Sequence, residues 1–172
     1  MKQHVDIQGA GELNTIITSV ASSECTTGTL AGANNAELRF LTVRNTSTGL
    51  CSTAIYNFNA SPRLTHVKAE GIGATNANRG VIIRNFSNPT LTDVTAKASG
   101  PAENIGALIL TASNPTISQS KLIGSTSSMD IASSTVKVAL TQLEGPVGKA
   151  GENPTLQCFN NYDQNMAAVT CP

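Results

Sequence analysis

The tetrapeptide Ser-Asn-Pro-Thr occurs at Ser87–Thr90 and again at Ser113–Thr116, and Ser61-Pro62-Arg63 is a looser copy. A fixed repeat constrains a fold more than local propensity does, because each unit must bury its apolar face against the next. The same apolar pattern follows each copy. Leu64, Val67 and Ala69 align with Leu91, Val94 and Ala96, then with Ile117, Ser120 and Leu122, then with Val138, Thr141 and Leu143. Upstream, Leu38, Leu41 and Val43 fit the frame, as do Leu13, Ile16 and Thr18. The anchors Leu13, Leu38, Leu64, Leu91, Ile117 and Val138 are separated by 25, 26, 27, 26 and 21 residues.

Each unit alternates apolar and polar residues, is rich in β-branched side chains, and lies between Gly, Asn, Ser and Pro turns, which predicts short strands. A second strand precedes the anchor at Ala54–Phe58, Gly80–Arg84 and Ala107–Thr111. Pro62, Pro89 and Pro115 fall at the turn between the two strands, where a missing N–H does no harm. No window carries a helical stripe, and Gly or Pro interrupts the chain too often for helices. The expected fold is all-β, a right-handed parallel β-helix solenoid of about six coils with a small C-terminal disulfide cap. Residues 1–172 then form a single domain, with coils over about 5–150 and the cap over about 151–172.

Eleven basic and eleven acidic residues cancel, which leaves no electrostatic argument for nucleic acid or an anionic membrane. No apolar run approaches the ~20 residues that span a bilayer. Met1–His4 opens no signal peptide, since no apolar run follows it.

Several segments resemble one family. Val5–Thr18 is similar to the opening coil of many pectin-lyase-like β-helix proteins. Ala54–Asn57 and Ser87–Ala96 resemble bacterial β-helix repeat proteins of unassigned function, and Cys158–Pro172 resembles their C-terminal tail. Relatives usually begin with a further N-terminal strand and cap, whereas this chain starts at the Val5–Ile7 coil. The resemblance implies a fold much more than an activity.

Residues one period apart in such a solenoid stack at about 4.8 Å, so the frame defines columns. Two residues after each anchor stand Thr15, Phe40, His66, Asp93, Gln119 and Leu140. His66 and Asp93 would be neighbours there, a candidate acid/base pair with no third group in the column. The outward face of the long strand carries Thr42, Lys68, Thr95, Lys121 and Gln142, beside Arg44, Glu70, Lys97, Ile123 and Glu144. The resemblance makes this the face where pectate lyases and polygalacturonases carry catalytic groups. Those enzymes need clustered carboxylates, and here the carboxylates are scattered. Arg44, Lys68, Lys97 and Lys121 are the candidates for holding an acidic glycan without cleaving it. Asn35, Ser61, Asn88, Asn114 and Thr135 precede the anchors, where stacked side chains would satisfy turn backbone.

Cys25 and Cys51 are 26 residues apart, one coil, which is disulfide range for stacked positions. Cys158 and Cys171 bracket the final loop, and only the pairing 25–51 with 158–171 agrees with the stacking. Without a Cys-x-x-Cys motif or a nearby His pair, neither metal nor cofactor is expected. Disulfides imply an extracellular or periplasmic location.

In the upstream strand, Ile55, Ile82 and Leu108 read as one column and Tyr56, Ile83 and Ile109 as the next, so one apolar column must face outward. That stripe, and a first coil that Met1–His4 is too short to cap, point to a homo-oligomer. Three functions follow: a non-catalytic structural or binding module of a secreted or surface protein, an enzyme acting on acidic polysaccharide, or a self-assembling element. The scattered carboxylates weigh against the enzyme.

Overall fold

A computed structural model describes residues 1–21 and 25–169. Among these, all regular structure is strand. In chain order the strands are β1 (Ile7–Gln8), β2 (Ile16–Ser19), β3 (Leu30–Ala31), β4 (Glu37–Asn45), β5 (Cys51–Phe58), β6 (Arg63–Ile72), β7 (Ala77–Arg84) and β8 (Thr90–Ser99). They continue as β9 (Glu103–Leu110), β10 (Thr116–Ser118), β11 (Lys121–Ile123), β12 (Ser127–Ala132), β13 (Thr135–Ala139), β14 (Gln142–Glu144), β15 (Val147–Ala150) and β16 (Thr155–Phe159). The chain alternates between two parallel sheets. A long sheet runs β1-β4-β6-β8-β10-β13-β16, and a short one runs β3-β5-β7-β9-β12-β15. This is a parallel β-solenoid, with seven rungs along the long sheet and six along the short one. The outer coils shrink, with only two residues each in β1 and β3.

The anchors stack as the repeat predicts. Leu38, Leu64, Leu91, Ile117 and Val138 are successive partners and nearly fully buried. Three residues on, Leu41, Val67 and Val94 also point into the core. A regular strand puts i and i+3 on opposite faces, so the strand must kink between them. Phe40, His66, Asp93, Gln119 and Leu140 supply that kink, all with φ between 50° and 56°. The ladder skips the first three, and their side chains remain partly outside.

Side chains of one coil satisfy the backbone of its neighbour. Ser61 N donates to Asn34 Oδ1 (2.8 Å), Asn88 N to Ser61 Oγ (2.9 Å) and Asn114 N to Asn88 Oδ1 (2.9 Å). A second row runs through Ser87, Ser113 and Ser134, each hydroxyl accepting from the preceding coil at 3.1–3.2 Å. Thus Asn34, not Asn35, begins the turn ladder. Thr135 stands outside it, donating its N–H to Ser113 O.

Four expectations need correction. Leu13 is not an anchor. Ile7 pairs with Leu38 and Ile17 with Val43, while Leu13 is 89% exposed. The first coil bulges over residues 9–14, so Thr15 also leaves the kink column. The upstream columns shift by one. Ile55 stacks on Val81 and Ala107, whereas Tyr56 stacks on Ile82 and Leu108, and Ile83 and Ile109 stack on Asn57. Ile55, Ile83 and Ile109 lie in the core. The extra residue that stretches the anchor spacing to 27 sits in the turn. One left-handed residue, Asn59, follows β5, but two follow β7 (Asn85, Phe86) and two follow β9 (Thr111, Ala112). The column Tyr56–Ile82–Leu108 lies outside the core cluster but offers little apolar surface, with Ile82 only 2% exposed.

The third correction concerns the cap. Its expected first part, β16, is one more rung, with Leu156 on Val136 and Cys158 on Val138. The fourth concerns the N-terminus. Met1 packs against the core, its amine donates to Ala31 O, and His4 N donates to Asn34 O (3.4 Å). The first residues therefore do cover part of the first coil.

Cys25 and Cys51 form the expected disulfide, with a Cα–Cα distance of 5.2 Å. Such a bond fits an oxidising compartment. Cys158 is not a free thiol, while its expected partner Cys171 lies outside the described residues.

Candidate functional site

The outer face of the long sheet carries the residues expected there. Thr42, Lys68, Thr95, Lys121 and Gln142 are successive partners, as are Arg44, Glu70, Lys97, Ile123 and Glu144. This register decides which charges remain available. Arg44 and Lys68 both reach Glu70, at 2.7 and 2.9 Å, and Lys121 reaches Glu144 at 2.6 Å. Lys97 is the one member of the basic set Arg44, Lys68, Lys97 and Lys121 without an ion pair among the described residues.

Burial alone would raise the Glu70 pKa. The Lys68 and Arg44 hydrogen bonds and charges outweigh it, and the carboxyl titrates below its ordinary value. A lowered folded pKa contributes stability that is complete above the unfolded carboxylate range and is lost as pH falls through the lowered value. Glu70→Gln should therefore cost about 1–3 kcal/mol at pH 7, and the gap from wild type should close toward pH 3. Urea unfolding of both proteins at the two pH values measures this directly.

Beside this ladder the kink column continues outward. The Phe40 and His66 rings stack with centroids 4.9 Å apart, and His66 Nδ1 contacts Asp93 Oδ2. Glu12 joins them from the first-coil loop, whose carbonyl accepts from Thr42 Oγ1 at 2.8 Å. Burial and then the Asp93 charge raise the Glu12 pKa, with Lys68 and His66 opposing. A third titratable group beside His66 and Asp93 thus comes from the first-coil bulge and not from the column itself. Gly9 permits that bulge, because a Cβ there would stand 2.3 Å from Phe40 O. No three His, Cys, Asp or Glu side chains among the described residues converge to hold a metal ion.

Lys97 also rims a cavity of about 850 Å³ between the turns that leave the long sheet and the C-terminal segment around Asp163 and Val169. Asn104 lines it and is 4% exposed. Its Nδ2 donates to Gly100 O (3.0 Å), Ala102 O (2.7 Å) and Ser125 Oγ (3.1 Å). Its Oδ1 is buried without a hydrogen-bond partner. Such an acceptor is costly unless something donates to it. Glu144 and Asp163 also line the cavity. Glu144 holds Lys121, and Asp163 Oδ1 accepts from Asn165 N and Ala167 N. Among the described residues the cavity therefore offers one cation without an ion pair, Lys97, beside an Asp163 carboxylate that backbone N–H groups orient but do not neutralise. Sequence reading named Lys97 but not Asn104, because an Asn in an Asn-rich chain gives no signal before its partners are known.

No family profile, curated protein or solved structure matches the chain.

Proposed function

We propose that the chain is a non-catalytic binding module of a secreted or surface protein, and that it holds an acidic carbohydrate in the cavity beside Lys97. The observation that carries this reading is the pattern of neutralisation along the outer face. Arg44 and Lys68 share Glu70 and Lys121 pairs with Glu144, whereas Lys97 has no ion pair among the described residues and stands at the rim of a cavity. A volume of about 850 Å³ suits a short oligosaccharide. A sugar carboxylate would meet Lys97. The disulfide supports an extracellular or periplasmic setting, and the β-solenoid fits the resemblance to pectin-lyase-like proteins.

A glycan array spanning acidic and neutral oligosaccharides tests the reading. Acidic members should be retained, and Lys97→Ala should weaken them by about tenfold or more, the value of one charge-assisted contact. Equal retention of neutral members, or no effect of Lys97→Ala, would reject it.

The Glu12–His66–Asp93 cluster favours a second reading, an enzyme acting on a uronic-acid polymer. Asp93 at Nδ1 would hold the imidazole with Nε2 free to accept a proton, while Glu12 keeps its own proton to higher pH than a free glutamate does. Turnover of polygalacturonate or alginate that disappears in His66→Ala would establish this reading in place of the first.

A further inference from the structure

The short sheet carries a second cavity, of about 510 Å³, on the outside of β5 and β7. Tyr56 and Phe58 are two apart on β5, so their side chains share one face. Their ring planes lie within 4° of each other, with centroids 6.2 Å apart. Phe58 is 51% exposed, while Tyr56 is 8% exposed. Arg84, the neighbour of Phe58 across the ladder, lies with its guanidinium carbon 5.8 Å from the Phe58 ring centroid.

Two features single this place out from an ordinary exposed phenylalanine. Arg84 is the one charged residue lining the cavity, has no ion pair among the described residues, and has a buried Nε without a hydrogen-bond partner. The opposite wall is the Thr26–Gly32 segment, tied down by the Cys25–Cys51 disulfide and the Leu30–Ile55 pairing. Gly32 has no room for a side chain, since a Cβ would stand 1.9 Å from Asn57 Oδ1. At Gly28 the wall passes close to Tyr56, where a Cβ would stand 3.1 Å from that residue's own Cβ. The wall is thus fixed close to the rings, and the space between is held open.

We infer that this cavity is a carbohydrate subsite in which a uronate ring stacks on Phe58 and places its carboxylate on the Arg84 guanidinium. The flat C–H face of a pyranose matches an aromatic ring, and the planar donor fork of arginine matches a carboxylate at the edge of that ring. A guanidinium without an ion pair, in a cavity that no acidic residue lines, selects for an anion. The site stands on a different sheet from the Lys97 cavity and does not rest on the proposed function.

Isothermal titration with trigalacturonate, and with maltotriose as the neutral counterpart, tests it in the intact chain. Wild type should bind trigalacturonate at two sites. Phe58→Ala should remove one of them and leave the other, which also shows that the variant is folded. Arg84→Gln should weaken that site for trigalacturonate by about tenfold or more. Lys97→Ala should retain it. Binding of trigalacturonate unchanged in both Phe58→Ala and Arg84→Gln would overturn the inference, and so would equal affinity for maltotriose at this site. If Lys97→Ala abolishes all binding, this inference fails and the proposed function stands. If Phe58→Ala abolishes all binding and Lys97→Ala none, the proposed function fails and this inference stands.

Discussion

Leu91→Ala should lower the unfolding free energy by about 2–5 kcal/mol, one of the two largest effects expected of a single site in this chain. Leu91 is fully buried and lies between Leu64 on one rung and Ile117 on the next. Both flanking rungs are hydrogen-bonded to the rung that holds it, so the column cannot slide together to fill the space. The cavity term therefore adds to the lost transfer free energy. Leu13→Ala serves as the companion measurement. The repeat frame placed Leu13 in the same column, whereas it is 89% exposed. Its truncation should change stability by no more than about 0.5 kcal/mol. Urea unfolding of both variants decides between the two registers. A large loss at Leu13 and a small one at Leu91 would invert the stacking described above.

The second large effect is loss of the Cys25–Cys51 bridge. It closes a loop of 26 residues between adjacent coils. On the chain-entropy account, Cys25→Ser with Cys51→Ser should cost about 3 kcal/mol, a fall in Tm of roughly 6–12 °C for a chain of this size. The bridge also ties down the wall facing Tyr56 and Phe58, so the variant should lose binding at the Arg84 site before it loses its fold. Thermal melts of the double variant, and of wild type with and without reductant, measure the first part. A Tm unchanged by both treatments would remove the disulfide from the account of stability. Peptide mapping of the oxidised protein tests the 158–171 pairing, and a 25–158 linkage would contradict both pairings together.

The solenoid was legible because its signal recurs. Leu-x-x-Val-x-Ala at Leu64–Ala69 and Leu91–Ala96 fixes the inward residues of the long sheet, and five anchors stack as that pattern requires. The three-residue step inside the pattern already encodes the kink at His66 and Asp93, since no straight strand keeps both ends of that step on one face. Two things were hidden. The distance between anchors does not say where an extra residue is stored. Here the turns hold it, in the consecutive left-handed pairs Asn85–Phe86 and Thr111–Ala112, while β5, β7 and β9 keep a step of 26. A frame that spread the extra residue through the coil displaced the Ile55 and Tyr56 columns by one. The first coil was also misread, because Ile7 and Ile17 hold its two halves on either side of a bulge.

The outer-face columns were legible for the same reason as the core, since Lys68, Lys97 and Lys121 follow the anchors at fixed steps. Their availability was not. Whether a lysine is free depends on carboxylates along its own strand and on the neighbouring rungs. Lys68 meets Glu70 two residues along the same strand, whereas Arg44–Glu70 and Lys121–Glu144 cross from one rung to the next. Glu12 and Asn104 escaped for related reasons. Glu12 enters through the misread bulge. Asn104 matters because three acceptors saturate its Nδ2 and leave Oδ1 buried alone.

Amide chemical shifts recorded during titration with trigalacturonate report on whether the cavity at the end of the outer face takes an acidic sugar. Saturable shifts are expected at Lys97–Gly100, Ile123–Ser125 and Glu144–Val147, the segments that line the cavity, and those shifts should be lost in Lys97→Ala. A titration in which those amides stay still while the protein remains folded would contradict binding at the cavity.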